Sequence, residues 1–560
     1  MSSKRAGITV NIADALTQRA QEQPYTPAIY SPSGFDAQGR RRYVHWTYAQ
    51  LNEQADAIAA GLADFGLARG DRVALMVPPS LEFFALVFGL FKGGVAPVII
   101  DPGIGTKPLK ACLAEAQPHG FIGVAKAQAA RALLGWARGH SRVNITVGGG
   151  WFGPSLDDLI AIGRERLSSG QWQRVATQAE DLAAILFTSG STGIPKGAIY
   201  QHGNFAGQVR MIGETYGIQP GEIDLPTFPP FALFDPALGM TTVLPEMDFR
   251  RPASVDPERI RECIEGFGVT NMFGSPALLN TVSRWAQETG AHFSTLKRVI
   301  SAGAPVPAEV LARTRAMMAE DGQIFTPYGA TESLPVASIE SRQVLDETAE
   351  LTAQGAGVCV GRPVPPAKVR VIAITDDEIA SWDDVTELPP GQVGEITVHS
   401  PTVTVGYWGR PAQTALAKID DDGVVVHRMG DVGYVDDSGR IWFCGRKSQR
   451  VETADGPMYT SQVEAVFNSH PAVYRSALVG VGEFGQQRPV VCIELLPRQQ
   501  LKQERLFSEL REIAARQPLT AAIDTFLIHG GFPVDIRHNA KIGREALRRW
   551  ATSELPGARS

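Results

Sequence analysis

Phe187-Thr-Ser-Gly-Ser-Thr-Gly-Ile-Pro-Lys-Gly197 is the stretch on which the reading of this chain turns. Asp181-Leu-Ala-Ala-Ile-Leu precedes it, an apolar run that predicts a buried strand. Ala198-Ile-Tyr-Gln-His202 follows. Residues 188–197 hold three glycines and four hydroxyl side chains. Glycine lets the backbone approach a ligand and adopt positive φ. Successive free N–H groups then form a nest for an anion. The Ser and Thr hydroxyls add donors and Lys196 adds a positive charge, so the loop is suited to a polyphosphate. A surface turn uses the same residue types, but here both flanks are apolar and a lysine closes the loop. The P-loop pattern requires Ser or Thr directly after its lysine. Gly197 stands there, and the pattern fails.

A chain of 560 residues exceeds what one hydrophobic core supports, so at least two domains are expected. The apolar share of 44% suits a globular protein. The net charge of −6, with acids and bases interspersed, argues against a nucleic-acid surface. No apolar stretch follows Met1-Ser-Ser-Lys-Arg-Ala-Gly, so no signal peptide is expected. The longest apolar run, residues 83–91, stops at Lys92 and is too short to span a bilayer. Peripheral membrane contact stays open. The five cysteines, at 112, 263, 359, 444 and 492, show no metal-ligand spacing. Their odd number suits reduced thiols in a cytoplasmic protein.

Upstream of the loop the pattern alternates helix and strand. Asn11 is placed to cap a helix through Gln23. Thr47 precedes a helix over residues 48–65, where Leu51, Ala55, Ile58 and Leu62 recur at helical spacing. Strands are predicted over residues 72–77 and 95–100, with a helix between them that starts at Ser80. This alternation predicts a parallel, doubly wound sheet. Gly148-Gly-Gly-Trp-Phe-Gly153 matches the dinucleotide fingerprint between a strand and a helix. Trp151 and Phe152 are bulky where a phosphate must approach, and Asp157 and Asp158 would repel it from the next helix.

Downstream, residues 226–238 read Pro-Thr-Phe-Pro-Pro-Phe-Ala-Leu-Phe-Asp-Pro-Ala-Leu. Prolines bar a regular helix there, which leaves either buried loop packing or one wall of an apolar pocket. Residues 298–300 lead into Ser301-Ala-Gly-Ala-Pro305, and Ile324-Phe-Thr-Pro-Tyr328 into Gly-Ala-Thr-Glu332. Turns at the carboxyl ends of strands are where open α/β sheets bind ligands. Gly361-Arg-Pro, residues 391–396 and Gly406-Tyr-Trp punctuate a region of short strands, which predicts a small antiparallel subdomain. Asp431 and Arg446 follow in His427-Arg-Met-Gly-Asp and Cys444-Gly-Arg, and Lys541 stands in Asn539-Ala-Lys-Ile-Gly-Arg544.

These stretches, in this order, resemble the adenylate-forming superfamily of acyl-CoA synthetases, luciferases and peptide-synthetase adenylation domains. The resemblance implies ATP and Mg²⁺ as cofactors. It implies an AMP-binding N-terminal domain over residues 1–446 and a smaller, mobile α+β domain over residues 447–560. It places Thr188, Ser189, Gly190, Ser191, Thr192, Gly193 and Lys196 around the phosphates. Gly303, Ala304 and Pro305 line the adenine side, Tyr328 stacks on the base beside Gly329 and Ala330, and Thr331 touches the phosphates. Glu332 holds the metal, Asp431 takes the ribose hydroxyls, and Arg446 precedes the hinge. Lys541, Glu332 and Thr188 form the catalytic set. A carboxylate beside polyphosphate makes sense only with a cation between them. Ala232 stands where many members carry a histidine, so a histidine lid is not expected.

All of these motifs serve one half-reaction, attack of a carboxylate on the α-phosphorus of ATP. The acceptor in the second half is open among CoA, a carrier thiol and a hydroxyl of the substrate. Ser448 stands where members usually carry Asp or Lys, and residues 450–458 depart from the usual loop for an incoming thiol. Over its whole length the chain is most similar to the β-lactone synthetases of bacterial long-chain olefin biosynthesis, on Phe231-Ala-Leu-Phe-Asp-Pro, His427-Arg-Met-Gly-Asp and Arg537-His-Asn-Ala-Lys-Ile-Gly-Arg. That likeness implies a long-chain 2-alkyl-3-hydroxy acid as substrate and assembly with other enzymes of the olefin pathway. The alternative is a long-chain acyl-CoA or acyl-AMP ligase.

Overall fold

The apolar runs of the first third pair as expected. In the computed structural model, which describes residues 10–149, 152–188, 195–497, 502–534 and 542–555, they form a six-stranded sheet. Its order is Val143–Val147, Gly120–Val124, Arg72–Met76, Ala96–Ile99, Leu182–Phe187 and Gly197–Gln201. The first five are parallel, and the last returns antiparallel to Leu182–Phe187. Leu81–Lys92 is buried along its length because nearly every position is apolar, and Ser80 Oγ accepts from the Phe83 N–H at its start. A full capping box at Thr47 and Gln50 starts Tyr48–Gly61.

One boundary differs from expectation. That helix ends at Gly61 and tightens into a 3₁₀ turn, Leu62–Phe65, which Gly66 stops at φ +72°. Asn11 caps the first helix, Asp14–Glu22, as expected: its Oδ1 accepts from the Ala13 N–H at 2.9 Å and its own N–H donates to Asp14 Oδ2 at 3.1 Å. Its side-chain NH₂ also donates to the Phe91 carbonyl and to Thr177 Oγ1, which ties the helix start to the first sheet's surroundings.

A second sheet begins as parallel strands in the order Pro27–Phe35, Thr241–Val243, Ile223–Pro226, Asn271–Phe273, Arg298–Ile300 and Gln323–Ala330. Gln323–Ala330 then folds back on Ser333–Glu340, and from there every pairing is antiparallel, through Val358–Pro363, Ile441–Arg446, Val424–Val435 and Gly394–His399 to Lys368–Ile372. The antiparallel region expected as a separate subdomain is therefore hydrogen-bonded into the second sheet, at Ala337↔Pro363 and Ser338↔Arg362.

Past Arg446, Val473–Val481, Arg488–Leu495 and Thr525–Ile528 make a three-stranded sheet of their own. Thr460–Asn468 and Gln503–Ala515 cover one face, and Arg544–Glu554 covers the other. The architecture is thus two doubly wound sheets, an antiparallel extension and a smaller α+β unit. The five cysteines are free and buried. Among the described residues no helix is long and apolar enough to cross a membrane.

Candidate active site

The fold-back of Gln323–Ala330 on Ser333–Glu340 makes a tight hairpin with Thr331 and Glu332 at its tip. The sequence predicted a strand running into a glycine turn after Tyr328. Instead the strand runs to Ala330, which pairs with Ser333. Gly329 allows this closeness, because a Cβ there would come 2.7 Å from the Ser333 carbonyl oxygen. Three hydrogen bonds grip the tip. The Tyr200 hydroxyl donates to the Thr331 carbonyl at 2.5 Å, the Thr404 N–H to the Glu332 carbonyl at 2.9 Å, and the Tyr407 hydroxyl to Glu332 Oε1 at 2.6 Å. Tyr200 belongs to the strand that leaves the glycine-rich loop. Tyr407 lies against that same strand, where the Trp408 N–H donates to the Gly197 carbonyl at 2.8 Å. The clamp therefore joins the two large sheets at the loop.

Thr188 and Lys196 stand at the base of the loop, where the Thr188 N–H donates to the Lys196 carbonyl at 2.9 Å. The Lys196 ammonium sits 4.9 Å from the centre of the Tyr407 ring, in reach of a cation–π contact. Ser189, Gly190, Ser191, Thr192 and Gly193 lie outside the described residues.

A second polar group forms across the antiparallel strands. Asp431 and Arg446 are register partners on adjacent strands. The Tyr328 hydroxyl donates to Asp431 Oδ2 at 2.7 Å, and Arg446 Nη1 stands 2.8 Å from Asp431 Oδ1. That second oxygen is buried and accepts no hydrogen bond. Burial pushes the Asp431 carboxyl up, while Arg446 and the Tyr328 hydroxyl hold it down. Gly303, Ala304 and Pro305 follow the end of Arg298–Ile300, with Gly303 at φ +98° and Ser301 buried beneath them.

Lys541 lies outside the described residues. Its loop is closed at the base by a bridge between Val534 and Ile542 and by a 2.7 Å bond from the Gly543 N–H to the Pro533 carbonyl. Beyond Arg446 the chain stays attached to the antiparallel strands. Lys447 Nζ pairs with Glu395 at 3.0 Å, and Arg450 Nη2 with Asp376 at 2.6 Å.

On the other side of the hairpin lies an apolar cavity of about 60 Å³, lined by Phe231, Phe234, Leu238, Phe273, Ile300 and Leu334 among others. The proline-broken stretch forms two single turns, Pro229–Ala232 and Asp235–Leu238, that wall it. Phe231 and Phe273 stack with centroids 4.2 Å apart. Of the two readings the stretch allowed, the pocket wall is the one the fold realises.

Sequence reasoning missed several residues at these sites. Tyr407 was noted only as part of a turn. Lys418, largely buried, has its ammonium 3.5 Å from Thr404 Oγ1. Burial pushes it down to about 7, against the pull of Glu332. Asp224 and Asp235 line the apolar cavity. No local pattern marks these positions. A charged residue inside an apolar strand, as in Ile223-Asp-Leu-Pro, was the one available signal.

Comparison with known proteins agrees with this geometry. The family model described as AMP-binding enzyme matches residues 16–408. Over 557 residues the chain is 52% identical to the olefin beta-lactone synthetase of Xanthomonas campestris pv. campestris, covering 97% of this chain and 98% of that protein. It is 26% identical to the long-chain-fatty-acid–CoA ligase of Salmonella typhimurium over 78% of each chain. The amide bond synthetase McbA from Marinactinospora thermotolerans shares the fold with a TM-score of 0.77 at 23% identity, covering 96% of this chain and 99% of that one. The chain belongs to the AMP-binding enzyme family and is an adenylate-forming ligase.

Proposed function

We propose that this enzyme activates a long-chain 2-alkyl-3-hydroxyalkanoic acid with ATP and then closes the acyl group on its own hydroxyl to give a β-lactone. The observation that carries this reading is the shared hairpin. Tyr328 and Glu332 make the polar contacts described above, while Pro327, Leu334 and Pro335 of the same hairpin line the apolar cavity. A carboxyl group at the hairpin therefore has a polar site on one side and an apolar cavity on the other. The 52% likeness to an olefin beta-lactone synthetase supports the second step.

In the first step a carboxylate oxygen bonds to the α-phosphorus and diphosphate leaves. Two anions must meet, and the loop at residues 188–196, Lys196 and Lys541 would offset that charge. Asp431 would take the ribose hydroxyls through its buried carboxylate, whose Oδ1 is ion-paired with Arg446 at 2.8 Å but accepts no aligned hydrogen bond. Glu332 would hold Mg²⁺, which supplies further charge neutralisation at the phosphates. Mg²⁺ is usually bound by one or two carboxylates, substrate phosphates and water. A single glutamate fixed through one oxygen by Tyr407 fits that pattern. In the second step the hydroxyl oxygen bonds to the acyl carbon, AMP leaves, and the hydroxyl proton is lost. Nucleophile and electrophile share one molecule, so proximity replaces a second bound substrate.

Residues 447–560 form, on this reading, the domain that brings Lys541 to the phosphates. The cavity is well below the roughly 300–1,000 Å³ of ordinary ligand pockets, so a long chain requires the Phe231–Phe273 stack to part. A cytoplasmic enzyme in peripheral contact with a membrane, assembled with other olefin-pathway enzymes, suits so apolar a substrate.

The test is release of AMP and diphosphate with a 2-alkyl-3-hydroxy acid and with a plain fatty acid, each with and without CoA. A β-lactone formed from the hydroxy acid without thiol is expected, with the plain acid stalling as adenylate. A CoA thioester from either acid at the rate of AMP release would establish the ligase activity of the 26% identical relative instead.

A further inference from the structure

The apolar cavity contains two carboxyls that adenylation does not use. Asp224 sits on Ile223–Pro226, and Asp235 is the first residue of the turn Asp235–Leu238. They are 7% and 3% exposed, and both line the cavity. Thr242 Oγ1 donates to Asp235 Oδ2 at 2.9 Å. Thr242, Asp224, Asn271 and Arg298 are consecutive register partners across four parallel strands, so they form one row on one face of the sheet. The row above it, Pro226, Phe273 and Ile300, stands at the carboxyl ends of the strands, next to Ser301. The carboxyls thus lie two residues, roughly 7 Å, below the edge where the acyl carboxylate would react.

Among the described residues no cation forms an ion pair with either carboxyl. The nearest, Arg298, is taken up by Glu222 Oε2 at 2.6 Å and by Asn271 Oδ1. Two buried carboxyls in contact cannot both ionise cheaply. Burial and the neighbouring carboxyl push Asp235 up, and burial pushes Asp224 up to about 7. The other ionisable groups acting on the pair are Glu222 and Arg298, and the Tyr48 phenol lies within electrostatic reach of Asp235. A pair that shares one proton offers both a donor and an acceptor, as a hydroxyl does. Burying such groups in an otherwise aromatic and aliphatic wall is costly without a polar use for them.

We propose that Asp224 and Asp235, backed by Thr242, form a polar contact in the acyl cavity that recognises a hydroxyl near the carboxyl end of the substrate. This deepens the lactone reading and rests on it for the identity of the acid. An apolar pocket alone discriminates poorly against analogues that differ by a hydroxyl, whereas one built to hydrogen-bond that group discriminates strongly.

The experiment measures the apparent second-order rate constant of first-turnover diphosphate release with a 3-hydroxy acid and with the plain acid of equal length, in wild type, Asp235→Asn and Thr242→Val. The readout is the ratio of the two substrates. Asp235→Asn should lower the hydroxy-over-plain ratio by about 10-fold to 100-fold, the range of a hydrogen bond to an ionisable group. Thr242→Val keeps both carboxyls and should lower it less, in the same direction. If Asp235→Asn does not fold, Thr242→Val decides. A role in packing alone would lower both substrates together, so an unchanged ratio in a folded variant overturns the proposal. Diphosphate release reports only the first half-reaction. A CoA thioester as the final product would remove the lactone reading and leave this ratio to be judged separately.

Discussion

The two sides of the hairpin are built on opposite plans. On the nucleotide side the side chains are preset. Tyr328 is fixed on Asp431, Arg446 beside it and Tyr407 on Glu332, each within 2.6–2.8 Å. On the acyl side the wall is a stack of aromatic rings on a proline-broken stretch, closed to about 60 Å³. A nucleotide has one shape and developing charge, so donors held in place ahead of reaction serve it best. A flexible alkyl chain is recognised by area, which rings able to swing can supply. The contrast teaches that rigidity here follows the ligand, and that the acid pair is a preset polar feature on the soft side.

Changes on the nucleotide side should slow every acyl substrate alike. Lys541→Ala should be the most severe, with a loss of diphosphate release of about 10²–10³-fold, typical of one preorganised charge contact. A loss of only a few-fold would remove Lys541 from the adenylation step. Glu332→Gln keeps the shape and removes the charge, so the rate should require about 10-fold or more Mg²⁺, as expected for losing one charge-assisted contact. The check is a magnesium titration, and an unaltered titration would take the metal away from Glu332. Tyr407→Phe, which deletes one hydrogen bond to Glu332, should cost only about 3-fold to 10-fold. It should shift the same magnesium curve in the same direction.

The smallest effect concerns stability on the acyl side. Asp224 carries a carboxyl raised to about 7 in the folded protein, against about 3.9 in an unfolded chain. A raised carboxyl lends stability that is present in full below the unfolded value and fades as pH climbs to the folded one. Asp224→Asn removes that dependence. The urea midpoint of the variant relative to wild type should therefore be higher at pH 8 than at pH 5. An offset that is the same at both pH values would show that the pair does not share a proton.

The polar side of the hairpin drew on contiguous runs, so its placement was legible in the sequence. Thr188 and Lys196 are fixed by one loop, Tyr328 to Glu332 by one hairpin, and Asp431 and Arg446 by two neighbouring strands. Short-range backbone geometry sets such groups, and short-range geometry leaves a sequence pattern. The strand–helix alternation of the first third is local in the same sense, and so is the capping at Thr47 and Ser80. The acyl side offered no such pattern. Asp224, Asp235, Thr242, Asn271 and Phe273 come from separate elements and meet only when parallel strands fall into register. Tyr407 likewise reaches Glu332 only because two sheets dock there. The sequence alone thus determined the glycine-rich loop, the order of the motifs and the class of chemistry. Only the tertiary structure decided which residues line the apolar cavity, because that depends on strand register and sheet docking, to which residues far apart in sequence contribute jointly.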